Sequence, residues 1–126
     1  MIGGRVLDSS ALVAFASGTS VYSAALVWTA VEEGVVLVVP ATAIAATWSQ
    51  LRDKEHPVME VLMRLPVTVV DELTADRART VGTLGGELRD AHAVLCARDR
   101  CSPLVTADAT RYLSMDLAGV EVETLP

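Results

Sequence analysis

The chain alternates between short apolar runs and longer segments in which apolar residues recur at helical spacing. The short runs are rich in β-branched residues and are bounded by Gly, Pro or Asp, which is typical of β-strands. We predict five strands, at Arg5–Leu7, Val35–Val39, Val67–Val70, Leu104–Thr106 and Val120–Val122. The first four read as continuous apolar runs, so we expect them to be buried on both faces of a sheet.

The segments between these runs have the periodicity of helices. We predict helices at Ser9–Ala16, Val21–Glu33, Ala41–Leu51, Pro57–Arg64, Thr74–Leu84, Leu88–Arg98 and Ala109–Leu117. Pro57 suits a first helical position, Thr74 suits an N-cap, and Gly18, Gly34 and Gly119 fall where helices should end. Because strands alternate with helices, the pattern predicts an α/β fold with three layers, α/β/α, around a parallel sheet.

Length and composition limit this fold to one domain over residues 1–126, because 126 residues with 52% hydrophobic side chains can bury one substantial core. A mean hydropathy of +0.43 excludes a disordered chain. The apolar stretch 23–46 contains Glu32, Glu33 and Pro40, so it predicts a helix and a buried strand rather than a membrane span. The N-terminus has no signal-peptide pattern, and we expect a cytoplasmic protein with no membrane association.

Charge excludes the usual electrostatic nucleic-acid binder. Sixteen acidic residues against ten basic ones give a net charge of −6, and the bases, nine Arg and one Lys, are scattered along the chain. Aromatic residues make up only 4%, which leaves few platforms for base stacking. Cys96 and Cys101 have no further ligand at metal-binding spacing, so we expect reduced thiols in or near the core. The excess of carboxylates is what needs an explanation.

Three aspartates from distant parts of the sequence are predicted to meet at one edge of the sheet. Asp8 directly follows the first strand, and Asp108 follows the fourth strand after a single alanine. Asp90 lies near the start of the helix that runs back into the fourth strand, which places it at the same edge. An all-oxygen cluster of this kind suits Mg²⁺ or Mn²⁺. Such a cation would polarise a phosphoryl oxygen and activate a water, as in a metal-assisted phosphodiester hydrolase.

Two other interpretations fit part of this pattern. Asp8 and Asp108 could each simply cap the following helix. Asp71 ends the third strand, as the phosphorylated aspartate does in a response-regulator receiver domain. A receiver also needs an acidic pair after the first strand and a lysine after the fifth, and neither is present. A nucleotide-binding domain is equally weak, since the chain has no glycine-rich phosphate loop.

Four segments resemble the sequence signatures of the PIN-domain family. They are Val6–Leu12 (VLDSSAL), Val39–Ala46 (VPATAIAA), Asp90–Ala97 (DAHAVLCA), and Leu104–Asp108 (LVTAD) followed by Tyr112. Within that family the chain is most similar to the VapC-type toxins of bacterial toxin–antitoxin pairs. The resemblance implies a five-stranded parallel sheet and a Mg²⁺- or Mn²⁺-dependent endoribonuclease that cleaves RNA. It also implies a homodimer that a cognate antitoxin protein inhibits.

The resemblance assigns roles to individual residues. Asp8, Asp90 and Asp108 correspond to the first, third and fourth metal-binding, catalytic carboxylates. Ser9 and Thr106 correspond to polar neighbours that help to orient the site.

One position departs from the family. Ala46 stands where the family has its second acidic residue, normally Glu, and a shift of one residue gives Thr47, which is not acidic either. Glu87 could partly substitute, because it precedes Asp90 by three residues, or it could be a solvated carboxylate at a helix start. Two hypotheses therefore stay open: an active ribonuclease, and a catalytically weakened module that acts by binding RNA or protein.

Four residues with aromatic rings have no role in the resemblance, and we expect simpler roles for them. His92 follows Asp90 by two residues, which turns it roughly 200° away on a helix, so we expect packing or an interface rather than catalysis. We expect His56 to face solvent, and Trp28 and Trp48 to pack in the core or in a subunit interface.

Overall fold

Five parallel strands form one sheet in the computed structural model, which describes residues 3–126. The strands are β1 (Arg5–Leu7), β2 (Leu37–Pro40), β3 (Thr68–Asp71), β4 (Leu104–Thr106) and β5 (Val122–Thr124). Their order is β3-β2-β1-β4-β5, and Val6 of β1 lies opposite Val38 of β2 and Leu104 of β4. The α/β fold with a five-stranded parallel sheet is confirmed. The order differs from the 2-1-3-4-5 order of receiver domains, which removes that alternative.

Six α-helices and two 3₁₀ helices connect the strands. They are α1 (Ser9–Ser17), α2 (Val21–Glu33), α3 (Ala41–Gln50), α4 (His56–Arg64), α5 (Ala75–Leu84) and α6 (Leu88–Arg100), with 3₁₀ helices at Asp53–Glu55 and Ala109–Tyr112. Thr74 caps α5 by accepting from the Arg77 amide, as the sequence predicts. Gly18 and Gly34 end α1 and α2 with φ of 71° and 70°, a left-handed conformation that glycine adopts without steric cost.

The sheet separates two apolar layers, because successive residues of each strand point to opposite faces. Leu7, Leu37 and Val39 pack with α1, α2 and α4 on one face. Val6 and Val38 pack with α6 on the other face. This three-layer packing leaves the strand ends free to carry polar side chains at the carboxyl edge of the sheet.

The prediction that the first four strands are buried on both faces is wrong for β3. Val69 and Val70 are 38% and 39% exposed. β3 lies at the edge of the sheet, and strand order, which decides this, cannot be read from an apolar run.

The predicted helix at 109–117 is also wrong in its length. It is a 3₁₀ helix that ends at Tyr112, and β5 begins two residues later than predicted. The side chain of Asp116 accepts a hydrogen bond from the Ala118 amide, and Arg98 donates to the carbonyls of Asp116 and Ala118. Local side-chain bonds of this kind stabilise a turn in competition with a helix.

Within residues 3–126, no single helix is both long and apolar enough to cross a membrane. Only α1 and α2 taken together reach the required length and composition, and they are bent by 99° relative to each other.

Candidate active site

Asp8 is a fully buried carboxylate at the carboxyl end of β1, and protein donors hold both of its oxygens. Its Oδ1 accepts from the Ala11 amide at 2.9 Å and from the Ser10 hydroxyl at 2.7 Å. Its Oδ2 accepts from the Tyr112 hydroxyl at 2.5 Å. Burial raises the pKa of Tyr112 far above its ordinary value, with the Asp8 charge adding to the effect, so this hydroxyl stays protonated and donates. Asp8 is therefore both the cap of α1 and an ordered carboxylate at the predicted site.

Asp90 is the second buried carboxylate at this edge, in the first turn of α6. Arg111 contacts its Oδ1 at 3.3 Å and also donates to the Ser9 hydroxyl at 2.9 Å. Burial raises the pKa of Asp90, and the nearby Asp8 charge raises it further, while Arg111 opposes the shift. Because the same Arg111 side chain bonds to Asp90 and to Ser9, the residue next to Asp8, the two carboxylates lie at the same part of the sheet edge.

Asp108 lies at the same edge, but it is exposed and its Oδ1 is used locally. It caps the second 3₁₀ helix by accepting from the amide and the hydroxyl of Thr110. The Thr110 hydroxyl is the main reason why the pKa of Asp108 lies below its ordinary value. Asp108 thus sets the course of the short helix that brings Arg111 to Asp90 and Tyr112 to Asp8.

The two predicted supporting residues are both buried beside Asp8. The Thr106 hydroxyl lies 3.0 Å from that of Ser10, which in turn binds Asp8. The Ser10 hydroxyl also accepts from the Ala107 amide at 2.9 Å and so joins the start of α1 to the end of β4. Ser10, which the sequence did not single out, connects the predicted residues to one another.

No acidic residue stands at the position where the PIN family has its second acidic residue. Ala46 is half-buried on α3 and offers no ligand atom, and the hydroxyl of its neighbour Thr47 bonds to the Ser9 carbonyl at 3.3 Å. Glu87 is exposed and pairs with Arg89 at 3.0 Å. Among residues 3–126, the oxygens of Asp8, Asp90 and Asp108 do not form a group that lies within 4.8 Å of one another.

A second polar cluster lies at the end of β3, and its metal-binding potential was not predicted. Asp71, His92 and Cys96 are buried, and their potential ligand atoms lie within 4.8 Å of one another. However, the guanidinium of Arg77 donates two hydrogen bonds to the Asp71 carboxylate, at 2.8 and 3.0 Å, and lies 3.9 Å from the Cys96 sulfur. Burial raises the pKa of Cys96 to about 12, so the thiol is neutral. A cation is already present here, which disfavours a metal.

His92 joins this cluster to α3. It bonds to Asp71 through Nε2 at 3.0 Å and to the Thr42 hydroxyl through Nδ1 at 2.8 Å. The expectation of a packing role fits its complete burial. The sequence signals this cluster only through Asp71, a polar residue that ends an apolar run. His92 and Arg77 lie on other elements, so no local pattern connects them to Asp71.

The expectations for the cysteines, for His56 and for Trp28 have different outcomes. Cys96 is buried, and Cys101 is exposed at the end of α6. His56 does not simply face solvent, because its ring stacks on Trp48 at 4.1 Å. Trp28 is 66% exposed, so it is not a core residue.

No protein-family model matches the chain, and no curated protein does. Several solved structures are similar in fold, and two of them illustrate the likeness. One is a chain in the crystal structure of VapBC2 from Rickettsia felis bound to a DNA fragment from their promoter, with a TM-score of 0.70, 12% identity and 100% of both chains covered. The other is PAE2754 from Pyrobaculum aerophilum, with a TM-score of 0.58 and 19% identity over 94% of this chain and 82% of that chain. The PIN/VapC-like fold predicted from the sequence motifs is confirmed.

Proposed function

We propose that this chain is a divalent-metal-dependent endoribonuclease of the PIN/VapC type and the toxin of a toxin–antitoxin pair. The observation that supports this most directly is the pair of buried carboxylates, Asp8 and Asp90, at the carboxyl edge of a PIN-like sheet. In open α/β sheets, ligands bind at this edge. Two buried neighbouring acids are unfavourable without positive charge. Arg111 supplies it to Asp90 through a contact of 3.3 Å, whereas the donors on Asp8 are neutral, so the pair has room for a further cation.

The donor set suits Mg²⁺ or Mn²⁺. A carboxylate has about four acceptor positions. Asp8 Oδ2 accepts one hydrogen bond, and Asp90 Oδ1 has one long contact, so both acids keep acceptor capacity. Mg²⁺ is commonly held by one or two carboxylates plus substrate phosphate. Asp8 and Asp90 would hold the ion, with Asp108 as an exposed third acid.

The bound ion would polarise a phosphodiester and lower the pKa of a water. The chain's own residues prepare for this chemistry. Tyr112, Ser10 and the Ala11 amide fix the orientation of Asp8, while Ser10 and Thr106 join the start of α1 to the end of β4.

The experiment is cleavage of several RNAs with added Mn²⁺ by the wild type and by Asp8→Asn. Asparagine keeps the capping geometry but lacks the charge, so we expect cleavage to fall at least about 100-fold. Asp53→Asn, at an exposed position away from the site, is the matched control and should retain wild-type cleavage. RNA that stays intact with the wild type at all Mn²⁺ concentrations would rule out the nuclease.

A second candidate is a catalytically weakened PIN module that binds RNA or a protein partner. Ala46 favours it, because a methyl group cannot hold a cation or its water. Under this candidate, Ala46→Glu should create or raise metal-dependent cleavage, measured with the same RNAs. Efficient wild-type cleavage that Ala46→Glu does not increase would remove this candidate.

We also propose the partners that a VapC-type toxin requires: an antitoxin protein and a second copy of the chain, in the cytoplasm. The structural neighbour VapBC2 supports complex formation. Val21, Tyr22 and Trp28 of α2 are 81%, 59% and 66% exposed, and large exposed apolar residues are common at interfaces. Sedimentation equilibrium of the purified chain tests the dimer, and a monomer at tens of micromolar would exclude a stable one.

A further inference from the structure

Arg111 is a positive group of the chain itself that lies in direct contact with the proposed metal site. Its guanidinium lies 3.3 Å from Asp90 Oδ1 and 2.9 Å from the Ser9 hydroxyl, and only 20% of its side chain is exposed. The Asp90 side chain is 6% exposed. An arginine in this position neutralises a buried acid in the way that a cation would.

The element that carries Arg111 is well placed to hold it there. The 3₁₀ helix Ala109–Tyr112 is capped at its start by Asp108, and its last residue, Tyr112, is tied to Asp8. Arg111 therefore lies between two fixed points. On one side Asp108 caps the helix, and on the other side Tyr112 binds the buried Asp8. The contact to Asp90 is longer than a typical charged hydrogen bond, which leaves this pair open to exchange.

We propose that Arg111 is a built-in competitor of the divalent cation, occupying the Asp90 side of the site until the metal displaces it. This inference rests on the proposed function, because it assumes that Asp8 and Asp90 bind the metal. A cation on Asp90 repels the guanidinium that contacts the same carboxylate, so metal binding displaces Arg111 and the resting site has low affinity for the cation. Loss of the Arg111 charge removes that cost.

The test is a calorimetric titration of Mn²⁺ into the wild type, Arg111→Ala, Arg111→Lys and Arg64→Ala, each first treated with EDTA and dialysed. Breaking a charged hydrogen bond corresponds to about tenfold or more in affinity, so we expect Arg111→Ala to bind Mn²⁺ about tenfold more tightly than the wild type. Lysine keeps the charge, so Arg111→Lys should remain closer to the wild type. Arg64, whose side chain is 82% exposed on α4, is the control for the loss of one positive charge.

Three results would overturn the inference. Equal affinity in the wild type and Arg111→Ala shows that Arg111 does not compete, and it leaves the proposed metal site intact. Weaker binding by a folded Arg111→Ala, with its thermal midpoint measured in EDTA, shows that Arg111 helps to build the site. If no variant binds Mn²⁺, the metal-dependent function fails together with the inference.

Discussion

At the scale of single residues, the structural role of Asp8 is compatible with the metal-binding role that we propose for it. The same carboxylate caps α1 through the Ala11 amide and accepts from Tyr112 across the sheet edge. The sequence suggested two competing interpretations for an acid after a strand, and the geometry accommodates both. Capping fixes the direction of the carboxylate, which is what a metal ligand requires.

The Tyr112 hydroxyl should be important for stability because it satisfies a buried carboxylate oxygen. Tyr112→Phe leaves Asp8 Oδ2 without its protein donor, and we expect the free energy of unfolding to fall by about 1–3 kcal/mol. Urea denaturation at pH 7 measures the change. Tyr22→Phe removes a hydroxyl from a side chain on the surface of α2 and is the matched control. Equal stability of the two variants would mean that the bond to Asp8 contributes nothing.

The motif residues could be found from sequence because each is fixed by its neighbours along the chain. Asp8 follows an apolar run directly and Asp108 follows one after a single alanine, so their position at the carboxyl edge needs only the direction of the strands. Arg111 was missed as the partner of Asp90, and Ser10 was missed as the link between Asp8 and Thr106. The Arg111–Asp90 and Ser10–Thr106 contacts join residues 21 and 96 positions apart, and no local pattern encodes such pairs.

At the scale of elements, the Asp71 cluster fastens the edge strand β3 to α5 and α6. Asp71 ends β3, Arg77 lies on α5, and His92 and Arg100 lie on α6. Burial alone would raise the pKa of Asp71, but hydrogen bonds from His92 and neighbouring groups, with the Arg77 charge, hold it below its ordinary value. A strand with exposed valines thus gains an ionic attachment at its end.

Arg77→Met should weaken this attachment in a pH-dependent way. It leaves a buried carboxylate without its main counter-ion, and we expect a loss of about 2 kcal/mol at pH 7, less than for a fully buried pair because Arg77 is partly exposed. A lowered folded-state pKa stabilises the protein above the unfolded pKa of about 3.9 and loses this effect as pH falls through the folded value. The difference between wild type and variant should therefore shrink from pH 7 to pH 3.

Chemical denaturation across this pH range measures that difference. Arg79→Met is the control on the same helix, because Arg79 pairs with exposed Asp76 and its side chain is 73% exposed. We expect it to change stability by less than about 0.5 kcal/mol at every pH. A constant difference between wild type and Arg77→Met would show that the lost stability does not involve the ionisation of Asp71.

The sequence predicts the strands and helices better than it predicts where they end and how deeply they are buried. All five strands were located within two residues at each start and end, because β-branched runs and their breakers are local signals. The prediction of a helix at 109–117 was wrong, because the end of this helix depends on the bond from Tyr112 to Asp8 and on the turn that Asp116 forms. The prediction that β3 is buried on both faces was wrong, because the order of strands in the sheet is a property of the whole fold.

At the scale of the whole molecule, the arginines are already occupied. Arg98 donates to backbone carbonyls, and the other eight each form an ion pair with a carboxylate. Those eight are Arg5, Arg52, Arg64, Arg77, Arg79, Arg89, Arg100 and Arg111. With a net charge of −6 and these arginines paired, residues 3–126 offer no continuous run of unpaired arginines to an RNA backbone.

RNA binding by this chain should therefore depend only weakly on salt. Each phosphate neutralised on a single strand contributes a slope of about −0.7 to the plot of log affinity against log salt. If the metal and Arg111 together contact about two phosphates, the slope should be about −1.4. Fluorescence anisotropy of the wild type with a labelled single-stranded phosphorothioate RNA, which keeps the backbone charge and resists cleavage, measures it with saturating Mn²⁺ from 50 to 300 mM KCl.

The comparison with a metal-free titration separates the two contributions to this slope. Without Mn²⁺, the acidic edge repels the backbone and only the arginines remain, so affinity should fall to the limit of detection. Strong binding without metal, with a slope steeper than about −4, would require six or more phosphate contacts. Such a result would mean that the ion pairs open on binding to form a basic surface, and that the charge of the resting molecule does not determine how it meets RNA.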